Sequence, residues 1–156
     1  MGTTDVEKME FSAGAAFRIY GIGLDIDRTT RELGLSPDHR HKEGEPDPGK
    51  RPYPHDMWSL SSPLGKNQEL ELHLMWLAER ILNCRDYILS LEKKFKVDIY
   101  CWKNCYKEQS SLVLSSKALR IFTELGLNLE VSLLCLPPER GSEGPVADIA
   151  MTHSQR

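Results

Sequence analysis

The chain has 156 residues, of which 40% are hydrophobic and 28% charged, and its formal net charge is −3. This composition is typical of one globular domain, and a chain of this size needs no metal or disulfide in order to fold. The small negative charge disfavours a general nucleic-acid-binding protein. The apolar run over residues 133–136 is far too short to cross a bilayer.

The two ends of the chain differ in composition from its centre. Residues 1–15 are predicted to form a flexible arm, and residues 137–156, rich in proline, glycine and charge, a disordered tail. The arm carries acidic residues where a secretory signal carries basic ones, which predicts a cytoplasmic protein. A single domain is therefore expected over residues 16–136.

The first predicted elements are a strand and a short helix. Apolar and polar side chains alternate over residues 17–20, which predicts a strand. A helix follows over residues 27–33, where Asp25 or Asp27 can cap its start and Gly34 can end it in a left-handed conformation. The glycines at 21 and 23 lack the third glycine of a dinucleotide loop, so they predict a tight turn.

The remaining elements are a long helix, another short helix and further strands. A weaker strand is predicted over residues 57–61, and a helix over residues 67–95, where apolar residues recur at steps of four and three. A coiled-coil seam is the alternative for this helix, although extra apolar positions widen the stripe. The last elements are a strand over 97–102, a possible short one over 111–114, a helix from Ser115 or Ser116 to Gly126, and a strand over 129–136.

This order of elements repeats a strand–helix–strand unit on either side of the long helix. It predicts an α+β domain with a four-stranded, mainly antiparallel sheet in ferredoxin-like βαβ–α–βαβ order and one long inserted helix.

Short motifs recur in a fixed order along nearly the whole of residues 16–136. They are FRIYG at 17–21, LD at 24–25, LGL at 33–35, HKEG at 41–44, WSLS at 58–61, VDIY at 97–100 and LS at 114–115. In this combination the chain resembles the bacterial domain of unknown function 4279 (DUF4279). The resemblance implies a small bacterial cytoplasmic domain, and it supplies no catalytic residue.

The first candidate site is the polar connection over residues 36–56, which is long for a compact domain. Its acidic and basic side chains nearly cancel, so it predicts an adaptable binding loop. The candidate binding residues are His39, His41, Lys42 and the nearby Trp58. The alternative is a solvated connection stiffened by five prolines.

The second candidate site is one face of the sheet. The residues expected in the core are Phe17, Ile19, Val97, Ile99, Cys101, Leu129, Val131 and Leu133. The pleat then turns Arg18, Tyr20, Asp98, Tyr100 and Trp102 to the opposite face. Because aromatic and arginine side chains dominate interface energies, this face is predicted to bind a protein partner or a second copy of the chain. The alternative is that the long helix covers it.

No enzyme signature is present, which favours a non-catalytic protein- or ligand-binding module of the immunity or regulatory type, without cofactor, nucleic acid or membrane. The alternative is a small enzyme that uses the His39–His55 loop with Asp25 or Cys101. Cys101 and Cys105 are spaced like half of a zinc site, but no second ligand pair exists at such spacing. The four cysteines are therefore predicted to be reduced and free of metal.

Overall fold

The computed structural model describes residues 9–136, so residues 1–8 and the predicted tail at 137–156 lie outside the described residues. The strands are β1 (Phe11–Gly21), β2 (His39–His41), β3 (Asp56–Ser61), β4 (Lys96–Cys105) and β5 (Val131–Cys135). The α-helices are α1 (Ile26–Leu33), α2 (Leu70–Ile81), α3 (Arg85–Leu91) and α4 (Ser116–Leu125). The predicted α+β class is confirmed.

The strands form one mixed sheet in the order β2-β3-β1-β4-β5. The pairs β2–β3, β3–β1 and β1–β4 are antiparallel, and β4 and β5 are parallel. The prediction of four strands in ferredoxin-like order is wrong in detail. A βαβ unit makes its two strands parallel, whereas here β3 returns beside β1 in the antiparallel direction. The added strand β2 has only three residues and lies in the connection that was predicted to be a loop.

Strand β1 begins at Phe11, six residues before the predicted start at Phe17. Residues 11–15 therefore belong to the sheet and not to the arm, since they pair with β4 from Phe11 opposite Cys105 to Ala15 opposite Cys101. The sequence did not indicate this because the segment contains small residues, without the alternation of large apolar and polar side chains that marks a strand.

The predicted long helix is two helices joined by a 3-10 turn over Leu82–Cys84. Asn83 and Cys84 are poor helix formers. The Asn83 side chain donates to the Glu79 carbonyl (3.3 Å) and competes with the backbone ladder, while the Cys84 thiol donates to the Leu33 carbonyl of α1 (3.6 Å). The apolar stripe continues through the turn, which is why the periodicity alone predicts one helix.

Helix ends agree with the sequence. The Asp25 carboxylate accepts a hydrogen bond from the Arg28 backbone N–H (2.9 Å), and the Ser115 hydroxyl accepts one from the Ala118 N–H (3.2 Å). Gly34 and Gly126 follow α1 and α4 with φ of 64° and 66°, the left-handed conformation that disfavours a side chain.

One face of the sheet carries the core. Phe17, Ile19, Trp58 and Ile99 of the strands are buried with the apolar sides of the helices, among them Leu74, Leu77 and Ile81 of α2 and Ile121 of α4. The prediction that Leu129 and Leu133 belong to this core is wrong. Both are exposed, because β5 begins only at Val131 and lies at the edge of the sheet. The helices therefore cover one face and leave the other without a helical layer in the described part of the chain.

Candidate functional site on the open sheet face

The pleat turns the predicted sheet-face residues away from the helices. Arg18 and Tyr20 of β1 alternate with the buried Phe17 and Ile19, and Arg18 pairs in register with Asp98 of β4. We call this side of the sheet the open face. The prediction left undecided whether the long helix covers it. Helix α2 packs on the opposite face, against the core residues of β1 and β4.

A charged network forms the centre of the open face. The Arg18 guanidinium donates two hydrogen bonds to the Asp98 carboxylate, Nε to Oδ1 at 2.7 Å and Nη2 to Oδ2 at 2.8 Å. The Tyr20 hydroxyl donates a third to Oδ2 (3.1 Å), and the Arg18 cation lies 5.0 Å from the centre of the Tyr100 ring. Burial and the neighbouring Asp98 carboxylate raise the pKa of Tyr20, which keeps this hydroxyl a donor. The network restrains the positions of the aromatic rings.

Trp102 lies against its own sheet. Its indole packs over Gly14 of β1, where an added Cβ would lie only 2.8 Å from three atoms of the ring. Glycine at position 14 therefore makes room for the half-buried indole. Trp102 is on the predicted face, but part of its surface is already covered within the chain.

The loop histidines reach the same face. His39 and His41 lie on β2 opposite Ser59 and Met57, so the pleat directs both toward the open face. The His39 Nε2 and His41 Nδ1 atoms are 3.0 Å apart. The His55 ring lies 5.1 Å from that of Tyr20 and 5.8 Å from that of His41. The loop histidines and the sheet-face residues, predicted from the sequence as two sites, thus lie on one continuous surface.

Tyr53 also belongs to this surface, although it is not among the candidate residues predicted from the sequence. Its ring stacks on His41 with the centres 3.6 Å apart and an angle of 8° between the planes. Backbone hydrogen bonds from Gly44 to Tyr53 and from Tyr53 to Glu45 fold the loop back and set the position of the ring. Tyr53 lies two residues before His55 in the sequence, which is a weak indication that they share a surface. This spacing places both side chains on the same side when the loop is extended, and not otherwise.

One predicted loop residue lies on the other face of the sheet. Trp58 is fully buried on the core face, where its indole N–H donates to the Thr30 hydroxyl (3.0 Å). Trp58, predicted as a binding residue, is therefore not accessible on the open face, because β3 places position 58 opposite Ile19, a core residue. Lys42 is exposed just after β2.

The residues named for the alternative enzyme are not assembled into a site with the histidines. Asp25 caps α1. Cys101 is 1% exposed, and burial raises its pKa to about 12, so its thiol stays protonated and is a poor nucleophile. The histidines lie on the open face, whereas Cys101 belongs to the buried set of β4. The Gly23 N–H donates to Asp56 (2.9 Å) and is thus engaged within the chain.

A groove borders the open face at the edge of β4. Strand β5 pairs only with residues 101–105 of β4, so the first half of β4 faces the α4–β5 connection instead. The groove between them has a volume of about 480 Å³, within the size range of ligand sites. Arg18, Tyr20, Asp98 and Tyr100 line one side of it, and Glu130 and Ser132 the other.

We expect acid to destabilise the fold through His41. Burial, His39 and His55 lower the pKa of His41 from 6.5 to about 4, although Glu45 and Asp47 oppose this effect. The unfolded chain therefore binds a proton between pH 6.5 and 4 that the folded chain does not bind. The stabilisation is present above pH 6.5 and is lost as the pH falls, by on the order of 1 kcal/mol or more. Denaturant unfolding at a series of pH values measures this slope.

The control for this prediction is His41→Phe, which keeps a ring against Tyr53 but cannot titrate. In this variant the free energy of unfolding should no longer fall between pH 6.5 and 5. The fall at lower pH, which comes from carboxylates, should be the same as in the wild type. A slope equal to that of the wild type would contradict the assignment to His41.

Metal ligands do not cluster in the described range: no group of three or more His, Cys, Asp or Glu side chains there is arranged to hold an ion. Each of the four cysteines has a free thiol. None of the helices between residues 9 and 136 has the length and apolar character that spanning a bilayer requires.

Comparison with known proteins identifies the family and no activity. No curated protein and no solved structure shows significant similarity to the chain. The sequence model of one family matches residues 9–136, which contain every strand and every helix described above. The chain belongs to the family described as domain of unknown function (DUF4279).

Proposed function

We propose that this domain is a non-catalytic binding module of the bacterial cytoplasm, which holds an extended segment of a protein partner in the groove beside β4. The groove carries this proposal. In the described structure, the edge of β4 along the groove has no strand beside it. The preorganised rings of the open face lie next to this edge and line the groove. Modules of this type act as immunity or regulatory proteins by occupying a surface of their partner.

The edge of β4 favours an extended occupant. A strand edge offers a row of backbone donors and acceptors, and partner peptides bind such edges by adding a strand. Beyond residue 100 this position is taken by β5, and before it the groove is open. Val97 and Ile99 alternate there with Asp98 and Tyr100, so a bound segment would contact apolar groups on one side and polar groups on the other.

The side chains around the groove define the chemistry of the segment. The charges of Arg18 and Asp98 satisfy each other, so they do not demand a charged ligand. The Tyr100 ring is held by the Arg18 cation and by a hydrogen bond with Ser132, and a rigid ring binds apolar side chains at low entropic cost. Glu130 on the opposite wall is exposed and favours a basic residue. We therefore infer an extended segment with apolar side chains and a lysine or arginine.

Selection from a displayed library of random linear peptides tests this proposal. The enriched peptides should combine apolar residues with a basic one. We expect Tyr100→Ala to weaken their binding about tenfold or more, which corresponds to about 1.4 kcal/mol. Titration of a synthetic selected peptide measures the change, and circular dichroism verifies that the variant is folded.

Tyr53→Ala is the matched control, because it removes the same ring from the open face at a distance from the groove. Its affinity for the selected peptide should equal that of the wild type. Equal losses in both variants, or a library without enriched peptides, would reject the groove as the binding site. A dimer in sedimentation that Tyr100→Ala dissociates would replace the peptide with a second copy of the chain.

A further inference from the structure

Two cysteines face each other at the ends of the parallel strands. Cys105 is the last residue of β4 and Cys135 the last residue of β5, and the two are register partners. Adjacent strands lie about 4.7–4.9 Å apart, inside the Cα separation of about 4.4–6.8 Å that a disulfide spans. The side chains of register partners lie on the same side of the sheet, so the two thiols project side by side from adjacent strands.

We propose that Cys105 and Cys135 are a redox-active pair, which a small-molecule disulfide such as oxidised glutathione converts to an intramolecular disulfide. This is a modification site separate from the groove, and it does not depend on the binding function proposed above.

The two thiols differ in a way that suits the two steps of disulfide exchange. Cys135 is exposed, so an oxidant can reach it, whereas Cys105 is only 4% exposed. Interactions with the Lys107 backbone, the Ser110 side chain and Cys135 lower the pKa of Cys105 despite its burial, which favours the thiolate that attacks in the second step. In its protonated form the Cys105 thiol donates a hydrogen bond to the Lys107 carbonyl (3.4 Å). Cys84 and Cys101 have no cysteine as a register partner in the described sheet.

The reaction balances without any group beyond the oxidant. The Cys135 thiolate attacks one sulfur of oxidised glutathione, forms a mixed disulfide and releases one glutathione thiolate. The Cys105 thiolate then attacks the Cys135 sulfur, forms the protein disulfide and releases the second glutathione. Two protein thiols lose one electron and one proton each, and the two halves of glutathione disulfide become two thiols.

The disulfide would fasten the last described strand to the sheet. Strand β5 has five residues and a strand neighbour only on the side of β4, so its attachment depends on one ladder and on a few side chains such as Val131. A covalent link at its end would restrict the fraying of this edge strand.

Equilibration of the folded wild-type chain in glutathione buffers of increasing oxidation tests the pair. We expect two of the four thiols to disappear together, and peptide mapping by mass spectrometry to show a Cys105–Cys135 linkage within one chain. Cys135→Ser should abolish the linkage, whereas Cys84→Ser should leave it intact. A stable glutathione adduct on Cys135, a disulfide between two chains, or four thiols that persist under oxidation would each overturn the proposal.

Discussion

Replacement of Trp58 by alanine is expected to lower the free energy of unfolding by about 3–5 kcal/mol, the usual loss for a fully buried large aromatic residue. The indole is 0% exposed, meets the Phe17 ring edge to face with the centres 6.2 Å apart, and donates a hydrogen bond to the Thr30 hydroxyl. The alanine variant therefore leaves a cavity between β3, β1 and α1. Equilibrium denaturation in urea measures the loss.

Two variants separate the contributions of this residue. Trp58→Phe keeps a ring in the core but removes the indole N–H, so it should lose clearly less than the alanine variant. Trp102→Ala on the open face removes another indole, which is only half-buried over Gly14. The expected loss of unfolding free energy is about 1–2 kcal/mol. A loss at Trp102 as large as that at Trp58 would contradict the distinction between the core and the open face.

These two tryptophans show what periodicity can predict. Alternation along β1 and β4 correctly separates Phe17 and Ile19 from Arg18 and Tyr20, because the pleat has a period of two and β1 lies in the middle of the sheet. The same rule applied to β3 would have placed Trp58 in the core. Its position at the end of a polar loop suggested a binding residue instead. The pairing with Ile19 places Trp58 in the core, and this pairing is a tertiary contact that a local pattern does not show.

The parts that the sequence did not predict depend on pairing between distant segments. Strand β2 has three residues, too few for a pattern, and it exists because β3 lies beside it. The loop histidines join the sheet face because β3 pairs on both sides: β2 beside it carries His39 and His41, and its pairing with β1 brings His55 against Tyr20. The groove likewise depends on where β5 begins to pair with β4, which alternation over residues 129–136 does not reveal.

One buried carboxylate holds in place the loop between β2 and β3, which is flanked by His41 and His55. Asp56 is 9% exposed, and its two oxygens accept hydrogen bonds from the backbone N–H groups of Gly23 (2.9 Å) and Glu43 (2.8 Å). It thereby joins the β1–α1 turn to the loop that begins after His41. The sequence gives no sign of this role, because neither partner is a side chain.

Replacement of Asp56 by alanine is therefore expected to cost on the order of 2–4 kcal/mol of unfolding free energy, because two backbone donors lose a charged acceptor. Asp38→Ala is the matched control, since the exposed Asp38 accepts one such bond among residues 9–136, from the Ser61 N–H (2.8 Å), and a loss of about 1 kcal/mol is expected there. Hydrogen exchange locates the effect: in the Asp56 variant the amides of Gly23 and Glu43 should exchange faster, by a larger factor than those of α4. Equal losses in the two variants, or unchanged exchange at both amides, would show that the Asp56 carboxylate does not join the turn to the loop in solution.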